Sequence, residues 1–144
     1  MKNLIGTGLL AMTLATGAFA EGVTHKVAVH VNQNDPQVMN MALNNVANLT
    51  KYYESQGDKV EVEVVTYGPG LMMLVEGKSP VADRIAAMSL EMESLSFAAC
   101  ANTHRAMSAK AGKDVTLLSE ANMVPSGVVR LIELQEQDYA YIRP

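Results

Sequence analysis

The one cysteine of this 144-residue sequence, Cys100, is its best candidate for covalent chemistry. It ends Leu95–Cys100, an apolar run rich in small residues that is typical of an interior strand and is followed by a helix-like segment. A thiol at a helix start faces backbone N–H groups and the positive end of the helix dipole, which favour the thiolate. A free cysteine is also commonly an inert side chain in a core, so these residues alone leave both interpretations open.

His104 follows Cys100 by four residues, about one turn of a helix. If the helix has begun by Cys100, the imidazole could accept the thiol proton or, when charged, act as a counter-ion to the thiolate. A helix that begins at Asn102 or Thr103 would weaken that geometry. Cys100 and His104 are therefore the candidate catalytic residues.

Other polar and small residues stand where predicted strands end. In open α/β sheets, ligands bind outside the carboxyl ends of the strands, where these loops gather. The residues expected to line a pocket there are His30, Asn32, Gly68, Gly70, Asn102, Thr103, Ser126 and Gly127. A single strand histidine such as His30 is more often a hydrogen-bonded structural residue. The turns Gly68–Pro69–Gly70 and Ser126–Gly127 do not match a nucleotide-binding fingerprint.

Strands and helices alternate along the chain and must position these loops. Apolar patterns predict strands over 26–31, 60–67, 95–100, 122–124 and 139–142, and three- and four-residue spacing predicts helices over 36–57, 71–76, 80–88, 102–111 and 128–135. Asp35 followed by Pro36 is typical of an N-cap and the first helical position, so it predicts the start of the first helix. Glu61 and Glu63 give the second strand a charged face, which favours a sheet edge. The pattern predicts an α/β fold with a mostly parallel sheet of about five strands and helices on both faces.

Residues 1–20 differ from the rest and are typical of a secretory signal peptide. Lys2 gives a positive start, an apolar stretch follows, and Ala18–Phe19–Ala20 fits an A-x-A cleavage site. The apolar stretch is short for a bilayer span, so we expect no membrane span after its removal and a periplasmic or secreted protein. Residues 21–144 are then a single domain, since no linker or repeat divides them.

The charge of the exported chain excludes a class of partner. Without residues 1–20 it has ten basic and fifteen acidic residues, a net charge of −5, so nucleic acid is an unfavourable partner. No internal disulfide can form from one cysteine, although export normally means an oxidising compartment.

No metal site or cofactor is implied by the residues. The sequence has no histidine pair, CxxC motif or carboxylate cluster with metal-site spacing. Eight methionines lie beyond residue 20, and exported methionine-rich proteins can bind Cu(I) through thioethers. They fall mostly on apolar helix faces, as Met88 and Met92 do, so core packing explains them better than copper.

Several segments form an ordered pattern along almost the whole of residues 21–144. They are His30 with NDP (34–36), ALNNVANL (42–49), VEVVTYGPG (62–70), FAACANT (97–103), VPSGV (124–128) and YAYIRP (139–144). In this order and spacing the chain resembles the DsrE/DsrF-like family.

The resemblance implies a three-layer α/β/α fold, a homo-oligomer such as a trimer or hexamer, and a cysteine that carries sulfur as a persulfide in a relay. That role would fall on Cys100. Two positions depart from the family pattern: Ala101 stands where many relatives have glycine, and Asp138 stands where glycine often ends the last helix.

The leading hypothesis is a periplasmic sulfur-relay protein, possessing sulfurtransferase-like chemistry, whose partners are sulfur donor and acceptor proteins or small sulfur compounds. Because Cys100 has no second cysteine beside it, release of the sulfur requires a partner. The alternative is a non-catalytic oligomeric binding or assembly module in which Cys100 is unreactive.

Overall fold

The computed structural model describes residues 22–144, and the predicted signal peptide (residues 1–20) lies outside them. The strands are β1 (Thr24–Val31), β2 (Lys59–Thr66), β3 (Leu95–Cys100), β4 (Ala121–Val124) and β5 (Ala140–Ile142). The helices are α1 (Pro36–Ser55), α2 (Ala82–Glu91), α3 (Ala101–Ala111) and α4 (Gly127–Glu136), with a 3₁₀ helix at Gly68–Leu74. Within this part of the chain, no helix is both long and apolar enough to cross a membrane.

The five strands form one sheet in the order β4-β3-β2-β1-β5, and every neighbouring pair is parallel. At the centre, Val64 of β2 lies between Val29 of β1 and Phe97 of β3. From β1 to β4 the chain adds strands in one direction, and it then returns through α4 to place β5 beside β1. The predicted parallel five-stranded sheet is confirmed.

Helices cover both faces of the sheet. On one face, β1, β2 and β3 contribute alternate side chains such as Val29, Val62 and Phe97 to the larger core, against α1, the 3₁₀ helix and α2. On the other face a smaller core joins strand residues to Leu131 and Leu134 of α4. Alternation along each parallel strand sends neighbouring residues to opposite faces, so both faces need cover. The three-layer α/β/α expectation is confirmed.

The expectation that the second strand lies at a sheet edge is wrong, because β2 is the central strand. Glu63, only 8% exposed, receives two hydrogen bonds of 2.7 Å from Arg130 of α4. Glu61 accepts a hydrogen bond from the Tyr139 hydroxyl. A buried carboxylate is tolerated when it is paired and hydrogen-bonded in this way, so charge alone did not mark an edge.

Local backbone preferences set several element ends. Asp35 caps α1 by accepting from the Gln37 amide at 2.7 Å, and Pro36 follows it, as expected from the sequence. Gly112 ends α3 with a φ of 67°. Asp138 adopts the same left-handed conformation (φ 67°) after α4, which explains why glycine suits that position. The helix expected over 71–76 is instead the 3₁₀ helix that begins at Gly68.

Candidate functional site

Cys100 lies where two helix N-termini meet. It is the last residue of β3 and the N-cap of α3, so α3 begins immediately after it. In the sheet it is paired with Val124, the last residue of β4, and α4 begins three residues later at Gly127. Because β3 and β4 are adjacent and parallel, the helices that follow them start at the same edge. The positive ends of both helix dipoles therefore lie near one sulfur.

Four hydrogen-bond donors lower the pKa of this thiol, and we call them the thiol cradle: the backbone N–H groups of Gly127, Thr103 and Asn102 and the hydroxyl of Thr103. Cys100 is 4% exposed. Burial raises the pKa of a thiol, but the cradle donors more than offset it, so the pKa of Cys100 lies below its ordinary value. The cradle therefore stabilises a thiolate, the form that acts as a nucleophile.

The Thr103 hydroxyl has a defined orientation. It accepts a hydrogen bond of 2.9 Å from the Gly68 backbone N–H, which leaves its own hydrogen for the sulfur of Cys100. Gly68 has a φ of 55°, a conformation that glycine adopts easily. The start of the 3₁₀ helix thus holds Thr103 in place as a donor.

Gly127 permits the close approach of α4. A Cβ atom at this position would lie 2.9 Å from Cδ1 of Tyr67 and 3.3 Å from Cβ of Cys100. Any larger residue would have to displace Tyr67 or move the N-terminus of α4 away from the thiol. The sequence marked Gly127 as a loop residue, but its amide becomes a cradle donor only through the pairing of β3 with β4.

His104 is directed elsewhere, although α3 begins early enough to place it one turn from Cys100. Its Nε2 donates to the Val115 carbonyl oxygen at 2.7 Å and lies 3.7 Å from Oδ1 of Asp114. It is not among the groups that bond to the thiol. The structure therefore does not bring the two predicted catalytic residues together, and it assigns His104 to anchoring the segment after α3.

His30 lies in an aromatic cluster on the same face of the sheet as Cys100. It is 5% exposed, stacks on Tyr67 with a centroid distance of 4.7 Å, and its Nδ1 is hydrogen-bonded to the Tyr141 hydroxyl at 2.7 Å. Burial, and then the nearby Arg143 guanidinium, hold the pKa of His30 below its usual value, so the neutral form of the ring is favoured. Tyr67 connects this cluster to Gly127.

The tyrosines of this cluster were not predicted as site residues. Tyr67 directly follows β2, one residue before the Gly68–Pro69–Gly70 turn, and that position was the available signal. Tyr141 lies in β5 and is 111 residues from His30, so no local sequence pattern could predict their contact.

The remaining predicted pocket residues have separate contacts. Asn32 accepts from Arg143 at 3.1 Å. Gly70 is required by a close approach, since a Cβ atom there would lie 2.3 Å from the Val31 carbonyl oxygen. Asn102 accepts from Arg105 through its side chain, while its backbone N–H belongs to the cradle. Ser126 precedes α4 as its N-cap without a side-chain capping bond.

A cavity of about 570 Å³ lies between the 3₁₀ helix and α3, and we call it the α3 cavity. Of the predicted pocket residues, Gly68 and Thr103 line it. Cys100 does not, so Thr103, which belongs to the thiol cradle, lies between the α3 cavity and the thiol. The predicted single pocket is therefore divided between the cradle, the His30 cluster and the α3 cavity.

Comparison with protein families gives a match to the DsrE/DsrF-like family over residues 11–144. The chain belongs to the DsrE/DsrF-like family. A solved structure of a protein of unknown function from Methanobacterium thermoautotrophicum is similar to this chain, with 30% identity and a TM-score of 0.70. The similarity covers 83% of this chain and 99% of the archaeal chain. Comparison with curated proteins gives no significant match.

The DsrE/DsrF-like family is associated with sulfur relay, and its members often oligomerise. The thiol cradle is compatible with that chemistry, because sulfur transfer through a cysteine begins with a thiolate.

Proposed function

We propose that this DsrE/DsrF-like protein is an exported sulfur carrier that holds sulfur as a persulfide on Cys100 and passes it to a partner. The observation that carries the proposal is the thiol cradle, in which two helix N-termini and the Thr103 hydroxyl lower the pKa of a buried thiol. A core cysteine that only fills space requires no such set of donors.

In the loading step, the Cys100 thiolate attacks the outer sulfur of a donor persulfide, RS–SH. A new S–S bond forms on Cys100, the S–S bond of the donor breaks, and the donor leaves as the thiolate RS⁻. The product is Cys100–S–SH. One sulfur atom and its proton move together, and no separate oxidant or reductant is consumed.

In the unloading step, the thiolate of an acceptor attacks the terminal sulfur of the persulfide. The acceptor becomes a persulfide, and Cys100 leaves as a thiolate. A thiol with a low pKa is the better leaving group, so the cradle donors serve this step as well. The partner must supply the acceptor thiol, because Cys100 is the only cysteine in the sequence.

The burial of Cys100 limits which donors can react. Because the residue is 4% exposed, a small persulfide reaches the sulfur more readily than a bulky one. Pro125 and Ser126 connect β4 to α4 beside it, and a protein partner would contact this edge of the sheet.

The proposal includes an exported location, which rests on the signal-peptide pattern of residues 1–20, and a homo-oligomeric state, which rests on family membership. The outer face of α4 supports assembly: Val128, Val129 and Ile132 are each about half exposed, at 52%, 47% and 53%. Apolar side chains grouped on one helix face are typical of an interaction surface.

The test is mass spectrometry of the protein after exposure to glutathione persulfide and then to an acceptor thiol. We expect the peptide that contains Cys100 to gain the mass of one sulfur atom and to lose it again on addition of the acceptor. Cys100→Ser is the control and should show neither change. Absence of the sulfur adduct in folded protein over a series of small persulfide donors would overturn the proposal.

A second candidate function is a non-catalytic assembly module, favoured by the burial of Cys100 and the exposed apolar face of α4. Alkylation kinetics separate the two. An unreactive core cysteine would react with iodoacetamide only as fast as the protein unfolds, whereas a carrier cysteine would react faster than unfolding and with a pH midpoint below that of a free thiol, which is about 8.5.

A further inference from the structure

The α3 cavity has the features of a small-molecule site. Its volume of about 570 Å³ lies within the range of about 300–1,000 Å³ that is usual for ligand pockets. It opens at the carboxyl edge of the sheet, between the 3₁₀ helix that follows β2 and the helix that follows β3. This is the edge at which parallel sheets commonly bind ligands.

The walls of the α3 cavity are mostly apolar. Met72 and Val75 contribute from one side, Ala106 and Met107 from α3, and Val115 from the segment after α3. Met72 and Met107 are partly buried against the larger core, which holds their backbones in place. Their flexible side chains can adapt to the shape of a ligand. Such walls suit an apolar body of a ligand.

The charge at the α3 cavity is positive, in contrast to the chain as a whole. Among the described residues that line it, Lys78 and Lys110 are the only charged ones. Neither ammonium forms an ion pair with a carboxylate within residues 22–144, whereas the chain has a net charge of −4. Two free cations at the rim of an apolar cavity complement a ligand that has one anionic end.

We propose that the α3 cavity binds a small organic anion, with the apolar part of the ligand between Met72 and Met107 and its anionic group near Lys78 and Lys110. The site goes beyond the sulfur-carrier function. Cys100 does not line the cavity, so binding does not require the thiol.

A nucleotide or nucleic acid is a poorer fit than a small organic anion. Within residues 22–144, the residues that line the cavity include no aromatic ring on which a base could stack. The one glycine among them, Gly68, uses its backbone N–H to donate to Thr103 and does not offer it to a phosphate.

The binding experiment uses three naphthalene probes of matched size and different charge: naphthalene-1-sulfonate, 1-naphthalenemethanol and 1-naphthylmethylammonium. Their binding to the protein is measured by titration calorimetry at low and high salt. We expect saturable binding of the sulfonate, weaker binding of the alcohol and the weakest binding of the ammonium probe. Added salt should weaken the sulfonate most, because screening acts on exposed charges.

Variants locate the binding. In Lys78→Gln/Lys110→Gln we expect the sulfonate to bind about fivefold to tenfold more weakly, the size expected for two partly exposed charge contacts, while the alcohol is unaffected. Lys113→Gln, outside the lining, is the matched control. Ala106→Trp should fill the cavity and reduce the binding of all three probes, and Ala109→Trp, also on α3 but outside the lining, should not.

Methyl NMR gives an independent readout. The ε-methyl signals of Met72 and Met107 should shift on addition of the sulfonate, and those of the core residues Met39 and Met88 should not. Cys100→Ser should bind the probe as the wild type does, so this test does not depend on sulfur transfer. The proposal is overturned if the sulfonate does not saturate, if the ammonium probe binds equally well, or if Ala106→Trp leaves binding unchanged.

Discussion

Replacement of Thr103 by valine removes one cradle donor while it preserves the size and shape of the side chain. In the wild type, the Thr103 hydroxyl accepts from Gly68 N–H at 2.9 Å and donates to Cys100. Valine can do neither. The variant therefore loses a hydrogen bond to the thiolate without opening a cavity.

The size of the effect follows from the value of a hydrogen bond to a charged group, which is about 1.5–3 kcal/mol. The remaining donors, Gly127, Asn102 and the Thr103 backbone N–H, still hold the sulfur, so we expect the lower end of that range to be realised. Since 1.4 kcal/mol corresponds to a factor of ten, the ratio of thiolate to thiol at Cys100 should fall by about tenfold at a given pH. The pKa of Cys100 rises accordingly.

The assay is the rate of Cys100 alkylation by iodoacetamide as a function of pH, with a small reagent chosen because the residue is 4% exposed. Thr103→Val should react more slowly than the wild type below the pKa of the thiol, by up to about tenfold, and at a similar rate at high pH, where both thiols are ionised. Thr103→Ser retains the hydroxyl and serves as the control. An unchanged profile in folded Thr103→Val, or an equal shift in Thr103→Ser, would refute the assigned role of the hydroxyl.

Three further predictions concern stability, each measured by denaturant unfolding across pH. Because the pKa of Cys100 is lowered in the folded state, unfolding takes up a proton. The free energy of unfolding of the wild type should therefore rise relative to that of Cys100→Ala as pH increases from the folded pKa, until the unfolded thiol ionises at about 8.5. A difference in unfolding free energy that does not change with pH would contradict the thiolate. The lowered pKa of His30 has its effect at acidic pH. The wild type should lose stability as pH falls below about 6.5, because the unfolded chain binds the proton more readily, and His30→Phe should lose less. An equal loss of stability in both proteins at acidic pH would contradict the burial of a neutral ring. Arg130→Met should lower the free energy of unfolding by about 2–4 kcal/mol, because it leaves Glu63 buried without its partner. Its control, Glu133→Gln, removes only an exposed partner of Arg130 at 3.5 Å and should change stability by about 0.5 kcal/mol or less. Equal losses of stability in the two variants would contradict the buried pair.

The secondary structure was largely predictable because it depends on local patterns. Valines at alternate positions marked β1 and β2, and Asp35–Pro36 marked the start of α1. The position of β2 in the sheet was not predictable in this way. Glu63 is paired with Arg130 and Glu61 is hydrogen-bonded by Tyr139, and these partners lie 67 and 78 residues further along the chain. Local charge gave no sign of those partners.

In the candidate site, too, local features were predictable from the sequence and features set by distant contacts were not. Cys100 at the end of a strand and the start of a helix followed from adjacent residues, and the structure places it there. The second helix N-terminus, at Gly127, depends on the β3–β4 pairing. His104 was placed by helical spacing alone, and the return of the chain to bring Val115 against its ring could not be read from that spacing.

The central claim, that Cys100 carries sulfur, is tested most directly by the mass of the Cys100 peptide in protein isolated from its native source under thiol-blocking conditions. If Cys100 carries sulfur, this peptide should have the additional mass of one sulfur atom in a fraction of the molecules. Treatment with a reducing thiol should remove that additional mass. Cys100 found only as the blocked, unmodified thiol, in cells shown to contain persulfide donors, would contradict it.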